Sequence, residues 1–599
     1  MIVGFNDYDL QAIMAAREKT AGSSGAFRQM LGSVFRHGGR WLHHVEFLNA
    51  VLREATGHDY RLHPMELCNL AVAYLKSYLT GRGLDVEIVN FFNTGKDRLA
   101  ALLRDGPRAV AITTTLYVES DPIVEIVRFI RQHSPETTII AGGPYFLNLC
   151  SSPRLLAQEL LLDGIGADIY VHEAQGEATL ARLLLALRDP RGPDLGSIPN
   201  LIYRADLADK PWRAAPAEKG ALAETGRGGE FVNRADLRAK PSRTAPAEKG
   251  ALAETGRGAQ FLRTPRQTED NDLDACAVDW RLLPRDLCAP TAQMILSRSC
   301  PFHCTFCRYP ALAGPWKVAG VAAAERQMQQ LRDAGARVLI LYDDTPNIPL
   351  PRFKQMLAMM ARNRFGFSWF SNFRCSGADA ETYDLMQASG CAGVFLGIES
   401  GDETILRNMN KQASLDKYRE GIARLKRNRI LTYASFILGF PGETADTIEH
   451  TARFLEETQP DYYQLHVYYH SKSVPIQLEA ARFGLTGSDY SWRHATMDWQ
   501  EACDAVDRLR RSIQGPVIGT SYLSTFWMIG YLLGKGIRMP HIRRFMELCR
   551  PVLLRNAGAR SLADIREEPL SPELLSAARE IAADLDLAEA APAEPHLPG

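Results

Sequence analysis

Short apolar runs alternate with amphipathic stretches in two separate series along the chain. In the first, residues 1–6, VEIVNFF (86–92), AVAITTT (109–115), TTIIAGG (137–143) and ADIYVHE from 167 read as strands, with helical patterns at 96–104 and 121–132 between them. An insertion follows the first strand. It leads to a helical stretch, 64–79, with Pro64 just inside its start and Gly81 just past its end. Strands alternating with helices imply βαβ units and a parallel sheet. Ligands of such sheets bind beyond the carboxyl ends of the strands. Those ends carry Thr113, Thr114, Thr115 and Tyr117, then Gly142, Gly143 and Pro144, then Glu173, Gly176 and Glu177.

The second series begins near 290, with strands expected at 293–297, 337–342, 367–371, 392–398, 432–438 and 461–468 and helical patterns in most intervals. Six βα repeats make a partial or full parallel barrel over 286–475 whose chemistry sits at the carboxyl ends of the strands. A helical region (476–599) ending in the tail APAEPHLPG completes the chain, and that tail is expected to be disordered. Between the two series lies a linker, 201–285, in which APAEKGALAETGRG occurs at 215–228 and again at 245–258. Two copies are too few for a solenoid, so the 30-residue period reads as a tandem duplication in a tolerant surface segment, expected to be poorly ordered. Residues 512–534 carry no charge over a length that could span a bilayer. Gln514, Pro516, Thr520, Ser521, Ser524 and Thr525 dilute that stretch, which favours a buried helix.

Composition narrows the function class. The 599 residues, 46% hydrophobic and 23% charged, match a globular protein of several domains. Lys plus Arg (69) nearly cancels Asp plus Glu (70), which leaves no electrostatic footprint for nucleic acid or an anionic membrane and points to a small-molecule substrate. The N-terminus lacks the basic and apolar regions of a secretory signal, so a cytoplasmic location is expected. Nothing in the sequence fixes an oligomeric state.

Of 11 cysteines, only Cys300, Cys304 and Cys307 cluster, directly after the first strand of the second series. Three thiolates on one loop can hold three irons of a [4Fe-4S] cluster and leave the fourth open. Zinc is the competing ligand, with His303 as a fourth donor, although a ribbon would need a second knuckle. With Phe306 before the last cysteine, this loop resembles that of the radical S-adenosylmethionine (SAM) superfamily. The resemblance covers about 290–470. It implies SAM bound around the open iron by Asp343 and Asp344, Ser371 and Arg374, Glu399, and Gly439, Gly442 and Glu443. A carboxylate such as Glu399 can accept both ribose hydroxyls.

A Rossmann-like domain (1–200) ahead of such a barrel resembles the cobalamin-dependent class, and implies that the strand-end loops of the first series hold the corrin and its nucleotide tail. No Asp-x-His-x-x-Gly follows the first strand, so no histidine ligand to cobalt is expected. Arg61 is the candidate for cobalt's lower face, its alternative being a surface charge paired with Asp59 or Glu66. The order RLHPMELCNLA, LILYDDTPNIPLPRF, WFSNFRCS, GIESGDETILRNMNK, SFILGFPGETADT and SWRHATM resembles a subgroup that methylates small molecules, among them tryptophan 2-C-methyltransferases of thiopeptide biosynthesis and phosphinate P-methyltransferases. The former resemblance implies transfer of the SAM methyl through methylcobalamin to C2 of L-tryptophan without a deoxyadenosyl radical, an electron donor for cobalamin, and a carboxylate on the open iron. Glu325 is nominated for that iron, against its reading as an exposed helical acid. Tyr309 and Tyr342 are candidate bases for the indole N–H, against their reading as packing tyrosines. Residues 519–534, with Trp492 and His494, are candidates to cap the substrate pocket, against a place in the core.

Overall fold

The computed structural model describes all residues except 22–23, 116, 151–154, 190–191, 209–247, 250–259, 520–521, 568 and 591–599. It divides into two compact units, residues 1–7 with 74–271 and residues 8–73 with 272–599.

The first unit is built on β1 (Ile2–Phe5), β2 (Ile88–Phe91), β3 (Ala109–Thr113), β4 (Thr138–Gly142), β5 (Ile169–Val171), β6 (Leu201–Arg204), β7 (Glu248–Lys249) and β8 (Phe261–Arg263). The sheet order is β2-β1-β3-β4-β5-β6-β8-β7. The first five strands are mutually parallel. Their runs of Ile, Val and Ala are apolar on both faces because helices such as Phe92–Arg104 and Asp121–His133 cover a doubly wound sheet. The last three strands run antiparallel and are not expected from the sequence. Phe261 pairs with Arg204, so the residues between them form an insertion in a β-hairpin. The duplicated segments lie there, outside the described residues but for Glu248 and Lys249; the tail 591–599 is also outside the described residues.

In the second unit, β9 (Thr291–Met294), β10 (Val338–Leu341), β11 (Ser368–Asn372), β12 (Cys391–Glu399), β13 (Leu431–Leu438), β14 (Tyr462–Val467) and β15 (Val517–Ile518) form one parallel sheet in chain order. Six strands match the expected repeats. The seventh falls in the charge-free stretch read as a helix, and the helix Tyr522–Gly534 ends that stretch. Phe526 of that helix packs on Phe370, Phe395 and Tyr433 of three successive strands, with ring centroids 5.6–5.9 Å apart. The helix is therefore apolar because it lies against the sheet. No helix among the described residues is long and apolar enough to cross a membrane.

Residues 8–73, assigned on sequence to the first domain, cluster with this second unit. Met14, Phe27 and Leu31 share a core with Ile565 and Ala559. The helical region includes a three-stranded antiparallel ribbon over Thr486–Asp498. The helix expected at 64–79 opens as a 3-10 turn, Pro64–Glu66, and resumes as Leu70–Thr80.

Candidate active site

The three cysteines occupy the loop after β9 at the carboxyl end of the sheet, where they border a cavity of about 350 Å³. The loop leaves its strand through Ser299 in a left-handed conformation (φ 66°). It is pinned from the far side by the segment following β12. Thr305 donates from N to Met409 O (2.9 Å) and from Oγ1 to Asn408 O (2.8 Å), and Asn410 Nδ2 donates to His303 O (2.9 Å). Cys300 Sγ lies 3.2 Å from Thr345 Oγ1, and Cys307 Sγ accepts from the Tyr309 N–H at 3.4 Å. Burial raises the Cys304 thiol and pushes Cys307 up to about 11, so neither is a thiolate at neutral pH without a metal to hold it. Among the described residues no group of three or more His, Cys, Asp or Glu side chains is gathered as the ligands of a single ion are. The three thiols line one cavity, as three attachment points of an iron and sulfide cube would.

The cavity walls come from the ends of the neighbouring strands. Glu399 ends β12 at a register shift, in a left-handed conformation (φ 74°) that aims its carboxylate into the cavity. It pairs with Lys411 (3.0 Å), both side chains nearly buried, and this carboxylate raises the Lys411 ammonium despite burial. The Arg374 guanidinium lies 3.7 Å over the Phe302 ring and donates to Ser376 Oγ (3.1 Å) and Gln412 O (3.0 Å), so it both lines the cavity and props the cluster loop. Asp344 borders the cavity beside Tyr309, whose hydroxyl donates to it. Desolvation in the cleft and the charge of Asp343 push Asp344 up to about 6, and desolvation with Asp344 raises Tyr309.

Other expected site residues are committed elsewhere. Asp343 is fully buried and accepts from Leu296 N (2.7 Å), Ser297 N (2.6 Å) and Ser297 Oγ (2.9 Å), which ties β10 to the loop after β9. Ser371 Oγ donates to Leu341 O (3.1 Å). Neither borders the cavity. Gly439 (φ 87°) and Gly442 (φ 93°) shape the turn after β13, and the buried Glu443 folds back to accept the Gly439 N–H. The cavity wall does not include them.

Three nominated residues lie apart from the cavity wall. Glu325 lies on the helix Val321–Ala334, where Asn363 Nδ2 donates to it (2.7 Å) and Arg362 stands 3.7 Å away; its carboxylate is engaged by the next helix, not turned to the cysteines. Arg61 is 86% exposed and pairs with Asp59 at 3.1 Å, the surface alternative, while Glu66 takes Lys535 instead. The Tyr342 ring, half-buried, packs on Trp527 (4.5 Å), and Tyr342 is not part of the cavity wall. Trp492, His494 and the described part of 519–534 are likewise absent from that wall.

In the first unit the strand-end loops divide into two groups. At the ends of β3 and β4, Thr114 Oγ1 donates to Gly142 O (2.9 Å), and Gly143 (φ 118°) approaches Thr114 so closely that a Cβ would lie 3.0 Å from its Oγ1. Thr113 Oγ1 is buried without a hydrogen-bond partner among the described residues, Thr115 is exposed, and Pro144 opens the helix Pro144–Cys150. This end of the sheet fits a bound polar ligand. Tyr117 instead packs on Phe5 (5.4 Å), and its hydroxyl accepts from Asn6 N (2.5 Å). The loop at 173–177 is already occupied by the chain itself. Glu173 accepts from Arg266 Nε (3.2 Å) and Glu177 from Asn271 Nδ2 (2.9 Å). Glu269 accepts from Ala178 N and Thr179 N (2.9 and 2.8 Å), capping the helix that Gly176 (φ 72°) starts.

With this geometry in view, the comparisons with known proteins fall into place. Residues 294–455 match the family model of the Radical SAM superfamily. Over 212 residues, 33% of this chain, the sequence is 30% identical to the anaerobic magnesium-protoporphyrin IX monomethyl ester cyclase of Rubrivivax gelatinosus, covering 37% of that protein. Over 206 residues it is 26% identical to an uncharacterized methyltransferase of Pyrococcus horikoshii, covering 45%. The chain thus matches less than half the length of either relative. Among solved structures, the cobalamin-dependent S-adenosylmethionine radical enzyme OxsB, with aqua-cobalamin bound, aligns over 90% of this chain and 85% of its own at a TM-score of 0.53 and 13% identity. That likeness shows the fold alone, parallel α/β and helical regions in one chain. TsrM, a radical S-adenosylmethionine methyltransferase from Kitasatospora setae, aligns over 71% of this chain and 73% of its own, at 0.49 and 19%.

The cavity also holds residues that the sequence reading passed over: Lys411, Asn372, Thr345 and Phe395. Asn372 and Thr345 each sit one residue from a nominated position or two, at the same strand ends. Lys411 closes the quoted motif GIESGDETILRNMNK twelve residues beyond Glu399, and the fold brings it back to that carboxylate.

Proposed function

We propose that this chain is a SAM- and cobalamin-dependent methyltransferase acting on a small molecule, and that tryptophan, methylated at C2, is its substrate. The reading rests above all on one observation: three thiols of one loop border the same cavity as the Glu399–Lys411 pair and Arg374 at the carboxyl ends of parallel strands. Cys300, Cys304 and Cys307 would hold the cluster, and Glu399 would accept the ribose hydroxyls of SAM. Arg374 and Lys411 would meet its carboxylate. The β3 and β4 ends, with Thr113, Thr114 and Gly143, would hold cobalamin, which when bound supplies a cobalt able to take a methyl group from one partner and give it to another.

The protein's own residues carry the remaining work. Methylation of C2 replaces a proton with a methyl group, so a proton must leave and no electron is consumed overall. Asp344, to which the Tyr309 hydroxyl donates at the cavity edge, would receive it, directly or with Tyr309 passing on its own proton and taking up the new one. A phosphinate acceptor is the second reading, favoured by the two cations Arg374 and Lys411 in the same cavity.

Reconstitution tests the cofactor set. Anaerobically loaded protein should hold about four irons per chain and one cobalamin, and SAM should perturb the electron paramagnetic resonance of the reduced cluster. A protein that takes up zinc but no iron, or whose cluster ignores SAM, would overturn the proposal.

A further inference from the structure

The motif SWRHATM lies outside the cavity, yet its side chains close on the turn that follows β13. His494 Nε2 meets Gly439 O at 3.3 Å, and a carbonyl can only accept, so Nε2 carries the proton. The other ring nitrogen agrees: Thr496 N donates to His494 Nδ1 at 3.4 Å. Thr496 Oγ1 donates to Glu443 O (2.7 Å) at the far end of the same turn. The Trp492 ring stacks on His494 at 5.4 Å with 6° between planes, and Trp492 Nε1 donates to Tyr468 O (2.7 Å). Gly439 is left-handed, and a Cβ there would lie 2.5 Å from Trp492 Cη2, so only glycine lets the ribbon come this close.

What the turn carries is Phe440. It is fully buried, edge-on to Tyr468 (5.1 Å) and to Phe306 (6.4 Å, 82° between planes). Phe306 precedes Cys307 and borders the cavity, with Lys411 Nζ 5.8 Å from its ring. A path of direct contacts therefore runs from the ribbon through the turn to the cluster loop.

We propose that His494 is a positioning residue: by holding the Gly439 carbonyl it fixes Phe440, and through Phe440 the Phe306 side of the cysteine loop where SAM binds. This rests on the reading of that cavity as the SAM site. The inference predicts a separation that mere packing would not produce. Glutamine places an amide nitrogen near the position of Nε2, whereas asparagine is too short to reach Gly439. H494N should keep its iron but bind SAM about 5- to 10-fold more weakly, the worth of about one buried hydrogen bond, and alter the SAM-induced change in the cluster's paramagnetic resonance. H494Q should restore both, and F440A should reproduce the H494N spectrum.

The test is SAM titration of the reconstituted wild type, H494N, H494Q and F440A, with iron content and melting temperature measured alongside. T496V, which loses the hydroxyl's contacts with Glu443 O and with His494 Nδ1 (3.1 Å), serves if H494N does not fold, and should weaken SAM binding in the same sense. Unchanged SAM affinity in H494N, or in T496V where that variant stands in, would overturn the positioning role, as would equal losses in H494N and H494Q. If the wild-type cluster itself shows no response to SAM, the functional reading fails first.

Discussion

Glu399 and Lys411 show how a single pair can combine strain with charge. A left-handed glutamate costs of order 1–3 kcal/mol in backbone strain, and it persists because the buried ammonium of Lys411 holds its carboxylate. Lys411→Met should destabilise the chain by about 3 kcal/mol, because it leaves an uncompensated buried carboxylate; urea melts would read this, and a loss near zero would mean that the pair is solvated. The cysteines make a sharper claim. Replacing any of Cys300, Cys304 or Cys307 by Ala should abolish iron binding on elemental analysis with little loss of secondary structure. Glu325→Ala, by contrast, should leave the cluster spectrum without SAM unchanged, since its carboxylate is held by Asn363; an altered spectrum would restore it as an iron ligand. At this scale the cysteines, Arg374 and Glu399 were legible because motif spacing and strand-end position name them. The surroundings of Arg61, Glu325 and Tyr342 were not, because the partners of a side chain depend on neighbours far away in the chain.

The turn after β13 shows an element held together by its own sequence. Glu443 is fully buried, and burial pushes it up to about 8 from the ordinary 4.5. Its folded-state value lies above the unfolded one, so the folded chain keeps a proton that the unfolded chain releases between those pH values. The stability it contributes is fully present below about pH 4.5 and is lost as pH rises through 8. Between pH 5.5 and 8.5 the wild type should lose roughly 3 kcal/mol that Glu443→Gln does not. Denaturant melts at both pH values decide this, and parallel trends would show that the carboxyl is already ionised. Elements with strong periodicity were readable to within a few residues: β3 and β4, the six expected barrel strands and the helices Phe92–Arg104 and Asp121–His133. The hairpin of β6 and β8 escaped because its partners lie on either side of the duplicated linker, and β15 escaped because a two-residue strand leaves no period in a charge-free run.

Over the whole chain, the α/β class and the two βα series followed from alternation alone, whereas the packing of residues 8–73 with the second unit did not, since no local signal tells an insertion which core it joins. The duplicated segment sits between paired hairpin strands, where loop length enters stability only logarithmically. Deleting residues 215–244 should therefore shift stability by less than about 1 kcal/mol, with melting temperature and cofactor uptake as the readouts; loss of either would give the second copy a role. The central claim is methyl transfer from SAM to tryptophan, and its most direct test is anaerobic incubation of the iron- and cobalamin-loaded protein with methyl-deuterated SAM, a reductant and tryptophan, followed by mass spectrometry. The account predicts deuterated 2-methyltryptophan that requires both cofactors, with little 5′-deoxyadenosine. A protein holding both cofactors that returns tryptophan unlabelled would contradict it.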